Sequence, residues 1–193
     1  MSFQYDAKKF ARAQKLPLLV LIDPVRRHFK GRNGLNRNNI AGIVANCRKA
    51  VHHARAIGMP IAFVHDDGYR GPHWIAGLAP ERSDMMFART AKSCYANAYF
   101  PEIAAEAGAL VLAGFPGDGG VLAIAVDAVR AGQAITFLQD ALLDAASRRI
   151  LIEPVLATLA AHTPLSIAAC GTHRWFQAYA PAVSTDPLKT PAA

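Results

Sequence analysis

The chain has 193 residues and a mass of 20.7 kDa, enough for one domain with a sizeable core and too short to expect a split into two. Hydrophobic residues make up 52% and charged residues 18%, which excludes a disordered chain, and no apolar stretch approaches the ~20 residues of a membrane span. The formal net charge of +7 fits an anionic partner, and three cysteines without metal spacing fit a reducing, cytoplasmic setting without a disulfide framework.

In chain order, Pro17-Leu-Leu-Val-Leu-Ile22 reads as a strand covered on both faces, because its apolar run is unbroken, and Asp23 ends it. A carboxyl there is either a cap at a strand end or a desolvated acid/base. Arg26, Arg27, His28, Lys30, Arg32 and Arg37 then fall within twelve residues. They form a solvated loop, an anion-attracting rim or a nucleic-acid surface, and no RNP-like strand, zinc finger or basic zipper accompanies them. Asn38 can cap a helix carrying Ile40, Ile43, Val44, Cys47, Val51 and Ala54, ended by Gly58. Pro60-Ile-Ala-Phe-Val-His65 is the next strand, and residues 66 to 83 form a long loop holding Trp74, which either walls a pocket or packs an interface. His65, Asp66, Asp67 and His73 are of metal-ligating type, but their spacing favours a solvated loop and no metal.

Asp84 to Arg89 reads as a third strand, Pro101 to Gly108 as a helix and Ala109 to Ala113 as a fourth strand. Gly114-Phe-Pro-Gly-Asp-Gly-Gly120 is a turn opening a helix from Val121 to Ala131. Its glycines permit close backbone approach, and the amides of Gly119, Gly120 and Val121 can face an anion or developing oxyanion. It is neither a Walker loop nor a dinucleotide fingerprint, and no other cofactor motif is present. Ala134 to Leu138, a helix over Ile152 to Ala161, a strand over Leu165 to Ala169 and a helix over Thr172 to Tyr179 follow, with a frayed tail after about 181. Cys170 before Gly171-Thr-His173, like Cys47 and Cys94, reads as a small core residue. The β-then-α alternation predicts one α/β domain of three layers, with a parallel, doubly wound sheet and right-handed crossovers. Ligands in such sheets sit at the carboxyl ends of the strands, where Asp23, Arg89 and residues 114–120 fall together.

Four ordered segments resemble the isochorismatase-like (cysteine hydrolase) superfamily. Leu19-Val-Leu-Ile-Asp23 is similar to its opening strand with the catalytic Asp. Asp84 to Arg89 with Ser93-Cys-Tyr-Ala-Asn97 resembles its D-x-V-x-x-K…S-A-F-x-N-T segment. Gly114 to Val121 with Ala125-Val-Asp-Ala128 resembles G-V-x-T-D-x-C-V and A-x-D-A, and Gln139-Asp-Ala141 resembles the D-A after the fifth strand. The resemblance covers roughly residues 16 to 170 and implies a six-stranded parallel sheet between helices, in a homodimer or larger homo-oligomer.

The departures from the family pattern bear most on function. The family's nucleophilic Cys position is Gly120, so no thiolate stands there to form an acyl-enzyme. The Lys position falls on Arg89 or, with a shifted strand end, on Lys92; the Gln two residues after the Asp is Val25. True isochorismatases also carry Gly at the Cys position and hydrolyse a vinyl ether without a covalent step, though they keep the Lys. The resemblance therefore implies a non-covalent hydrolase of a small anionic substrate. Asp23 would be its acid/base, Arg89 or Lys92 its electrostatic anchor, and the turn at Phe115, Pro116, Gly119, Gly120 and Val121, with Trp74, its substrate and oxyanion site. The family's non-proline cis peptide maps to Phe115-Pro116, predicting a cis bond. The alternatives are a catalytically silent relative binding a small anion or a partner protein, and, on charge alone, a nucleic-acid-associated protein.

Overall fold

The structure is a computed structural model that describes residues 15–26, 37–66, 73–115, 120–143, 159 and 167–179. Six strands form one sheet: β1 (Leu18–Ile22), β2 (Ile61–Asp66), β3 (Met85–Arg89), β4 (Ala109–Gly114), β5 (Ala134–Leu142) and β6 (Ile167–Cys170). The order is β3-β2-β1-β4-β5-β6 and every pairing is parallel, so the chain winds outward from β1 in both directions, as the β-then-α alternation predicts. The helices are α1 (Arg37–Ala56), α2 (Phe100–Ala107), α3 (Gly120–Arg130) and α4 (Thr172–Ala178), with a short 3-10 turn over Cys94–Ala96 that no sequence pattern announces.

Burial explains the unbroken apolar strands. All of β1 is buried, and its residues alternate between two cores. Leu19 and Leu21 join Ile61, Phe63, Val111 and Leu138 under α1 and Trp175 of α4. Leu18, Val20 and Ile22 join Val64, Leu110, Leu112 and Phe137 under α2 and α3. A helix layer on each face is why a period of two is invisible in the sequence. Cutting Phe63 to Ala in such a packed layer costs about 3–5 kcal/mol.

Several boundaries differ from the sequence reading, and α1 already includes Arg37, so Asn38 lies inside that helix rather than capping it. β5 runs to Leu142 rather than stopping at Leu138, because polar Gln139 and Asp140 interrupt the apolar run without interrupting the strand. β6 is described over Ile167–Cys170, one residue past the expected end at Ala169, and Asp66 belongs to β2 rather than to the following loop. That loop is also pinned: Val25 and Trp74 form an antiparallel bridge, and Ile75 N donates to Pro24 O at 2.9 Å. Four sequence expectations lie outside the described residues. These are the basic segment from Arg27 to Arg32, the Phe115-Pro116 bond, the helix near 152–161 (Leu159 alone is described, as helical) and the tail after 181. No helix among the described residues is long and apolar enough to cross a membrane.

Candidate functional site at the carboxyl edge of the sheet

Three neighbouring strands each bring one group to a single point. Asp23, directly after β1, is fully buried, and its N–H donates to Val64 O at 2.7 Å. Its φ of 47° lies in the left-handed region, a conformation that Asp tolerates better than most residues and that clusters at functional sites. At the end of β2, the N–H of Asp66 donates to Asp23 Oδ1 at 3.2 Å. At the end of β3, Arg89, itself 5% exposed, donates from Nη2 to Asp23 Oδ2. The register pairs Asp66 with Arg89, so the sheet itself sets this convergence. A lone buried charge costs several kcal/mol, and the ion pair is what lets Asp23 sit without solvent.

Arg89 is held from behind as well. Its Nη1 donates to Ala91 O at 3.2 Å and to Lys92 O at 3.1 Å. Of the two residues aligned with the family's Lys, the strand end therefore puts Arg89 on Asp23, while Lys92 offers its carbonyl to Arg89 and keeps an exposed side chain.

On the other side of β1, Ile22 pairs with Gly114 of β4, the place where the winding direction reverses. Gly114 has φ 119°, and a Cβ there would lie 2.2 Å from Ile22 O, so no side chain fits. Phe115 N donates to Ile22 O at 2.7 Å, and Phe115 is buried in the core beneath α1. Gly120 opens α3 and is buried, with Val121 half-buried beside it. The first amides of a helix lack intrahelical partners, which suits them to an anion or oxyanion. Pro116 and Gly119 lie outside the described residues.

Trp74 sits half-buried over the end of β2, its ring edge-on to Phe63 and His65. Among the described residues no group of three or more His, Cys, Asp or Glu is placed to hold a metal ion; Asp67 is not among them. Burial works against thiolate formation at all three cysteines. Burial pushes Cys47 up to about 12 and raises Cys94 and Cys170 as well. An open groove of about 540 Å³ lies elsewhere, between α1 and residues 77–81, where Glu81 and Asp84 already neutralise Arg55.

Two contributors are not visible in the sequence alone. The N–H of Asp66 touches Asp23 through backbone, which residue type does not encode, and only the β1–β2 register could reveal it. Asp140 is the second. Its Oδ1 accepts from Thr172 N at 2.8 Å and Thr172 Oγ1 at 2.6 Å, tying β5 to the start of α4.

The family model of the isochorismatase domain matches residues 17–149. Solved structures share the fold at low identity. An isochorismatase from Pseudomonas putida is 20% identical, with a TM-score of 0.65 over 83% of this chain and 90% of that one. An N-carbamoylsarcosine amidase from Thermoplasma acidophilum is 22% identical, with a TM-score of 0.65 over 81% and 96%. A cysteine hydrolase from Pseudomonas syringae pv. phaseolicola is 15% identical, with a TM-score of 0.66 over 85% and 92%. No curated protein matches the chain. The matched segment contains Asp23, Arg89 and Gly120 together, and the chain belongs to the isochorismatase-like hydrolase family.

Proposed function

We propose that the protein is a hydrolase that cleaves a vinyl ether or C–N bond of a small anionic substrate without a covalent enzyme intermediate, with Asp23 as general acid/base. The observation that carries this reading is the Asp23 carboxylate held by Arg89 and the Asp66 amide at the switch point of the sheet. With Gly120 where a nucleophile would stand, water must be the attacking group. For a vinyl ether, Asp23 first takes up a proton from solvent and gives it to the terminal alkene carbon, and water adds to the resulting oxocarbenium carbon. The proton shed by that water returns to Asp23, and the hemiketal collapses to a ketone and an alcohol. Arg89 cannot exchange a proton in this cycle; it balances the charge on Asp23 as the carboxyl alternates. The α3 amides at Gly120 and Val121 face negative charge on oxygen.

The test is turnover of isochorismate and a panel of small amides and carbamates, by the wild type and by Asp23→Asn. Turnover that drops at least ~10³-fold in Asp23→Asn supports acid/base catalysis by Asp23. Turnover retained by Asp23→Asn rejects it. The complete burial of Asp23 favours a second reading, a silent relative that binds a small anion or a partner protein, and no turnover by either protein selects that one.

A further inference from the structure

The two carbonyls that hold Arg89 from behind come from backbone with no regular structure of its own. Residues 90–93 follow β3 as bends, so neither Ala91 nor Lys92 stands in a strand or a helix. Where Ala91 O and Lys92 O lie, and through Arg89 where Asp23 lies, depends on what fixes the segment downstream. One tie is local: Asn97 Nδ2 donates back to Ala88 O of β3 at 3.0 Å. Both ends of that bond belong to one stretch of chain, so it closes a loop without fixing the loop to the helix layer.

Beyond the packing of Cys94 in the core, Tyr95 makes the longer tie. It stands in the 3-10 turn, where Ser93 Oγ accepts from Tyr95 N at 3.3 Å, and its ring lies edge-on to Phe100, 5.2 Å between centroids. Its hydroxyl donates to Gln133 Oε1, 38 positions on, between the end of α3 and the start of β5. Burial raises the Tyr95 phenol above its usual range, so it keeps the proton it donates. Gln133 is 2% exposed, and its Nε2 finds no acceptor among the described residues. A half-satisfied buried amide is costlier than a Leu or Met in the same space, so packing alone gives no reason for Gln here.

Resting on the reading of Asp23 as the acid/base, we propose that Tyr95 and Gln133 are positioning residues of that site. Their buried hydrogen bond ties the segment after β3 to the base of α3. It thereby holds the Ala91 and Lys92 carbonyls where they fix the Arg89 guanidinium against Asp23.

The test is side-chain nitrogen–proton NMR of the full chain, with the Arg89 signals assigned by Arg89→Lys. In wild type the Nη1 and Nη2 groups, held by two carbonyls and a carboxylate, give separate signals. Tyr95→Phe removes one oxygen from a ring that keeps its packing, and Gln133→Met keeps the bulk of the amide. Each speeds rotation about the Nε–Cζ bond roughly tenfold and merges the two signals, with the amides of β1 and β4 still protected from exchange. The double variant goes no further than either single one, because both delete the same bond. Gln133→Glu, which keeps an acceptor for the phenol, recovers part of the separation. Tyr99→Phe removes an exposed phenol just before α2 and leaves the signals as in wild type. Where a substrate is turned over, the Tyr95 and Gln133 variants lower kcat at constant KM. The proposal is overturned if Arg89 keeps separate signals in both single variants, if Tyr99→Phe merges them equally, if the double variant adds the two effects, or if β1 and β4 lose protection in step. Because the signals are read without substrate, absence of hydrolysis counts against the hydrolase reading alone.

Discussion

Asp23 and Asp140 occupy comparable places, each at the carboxyl end of a strand in one parallel sheet, and the fold uses them in opposite ways. Asp140 lies within regular strand backbone, is half-buried, and among the described residues its carboxylate accepts from the neutral donors of Thr172. It works as a remote cap for α4, whose own N-cap, Gly171, has no side chain to give. Asp23 is fully buried on left-handed backbone and meets a guanidinium. The Asp140 carboxylate is spent on fixing the start of a helix. A buried ion pair returns little net stability, because desolvation consumes most of its attraction, so it points to a purpose other than holding the sheet together.

The largest way to break that contrast is Arg89→Met. It leaves Asp23 buried without its counter-charge and should lower unfolding stability by about 3–5 kcal/mol, read as a fall in urea midpoint. A loss below ~1 kcal/mol would show that solvent reaches Asp23 and that the two carboxylates are not different in kind. Asp140→Ala deletes two neutral hydrogen bonds at a helix start, and about 1–2 kcal/mol is expected. Its effect should appear first as faster amide exchange in α4, with the β1–β3 end unchanged.

The same contrast shows how far the sequence reaches. β1, β2 and β4 are legible because each is a continuous apolar run bounded by polar or Gly residues, too short for a buried helix and apolar enough to need cover on both faces. Asp23 and Arg89 are legible as neighbours because each closes a predicted strand and the carboxyl-edge rule collects such residues. Asp140 is visible as a residue but not as a cap. Its partner lies 32 positions away, across a strand whose length the polar pair Gln139-Asp140 disguises. For Trp74 the sequence leaves two roles open. The structure sets it against Val25 and Phe63, a contact across 49 positions from Val25 that no local pattern encodes.

The smallest effect is a titration, and two thiols make it local to each carboxylate. Cys47 donates to Ala141 O at 3.1 Å, next to Asp140, and burial, with a lesser push from that carboxylate, raises it to about 12. Cys94 is raised by burial too, but the Arg89 charge draws it back down. An unfolded thiol loses its proton near 9, whereas these keep theirs when folded, so above that pH the native state binds more protons than the unfolded one. Stability is then whole below pH 9 and falls as pH rises through the window from 9 to about 12 for Cys47. The Cys47 contribution between pH 9 and 10 is about 1 kcal/mol. Cys47→Ala should flatten the alkaline limb of a urea-midpoint profile by that amount after its cavity cost is subtracted at pH 7. Asp140→Asn should also flatten it, by less, while Arg89→Met should steepen the share belonging to Cys94. If Asp140→Asn and Arg89→Met moved the limb in the same direction, the opposite charges facing the two thiols would not be what separates the two ends of the sheet.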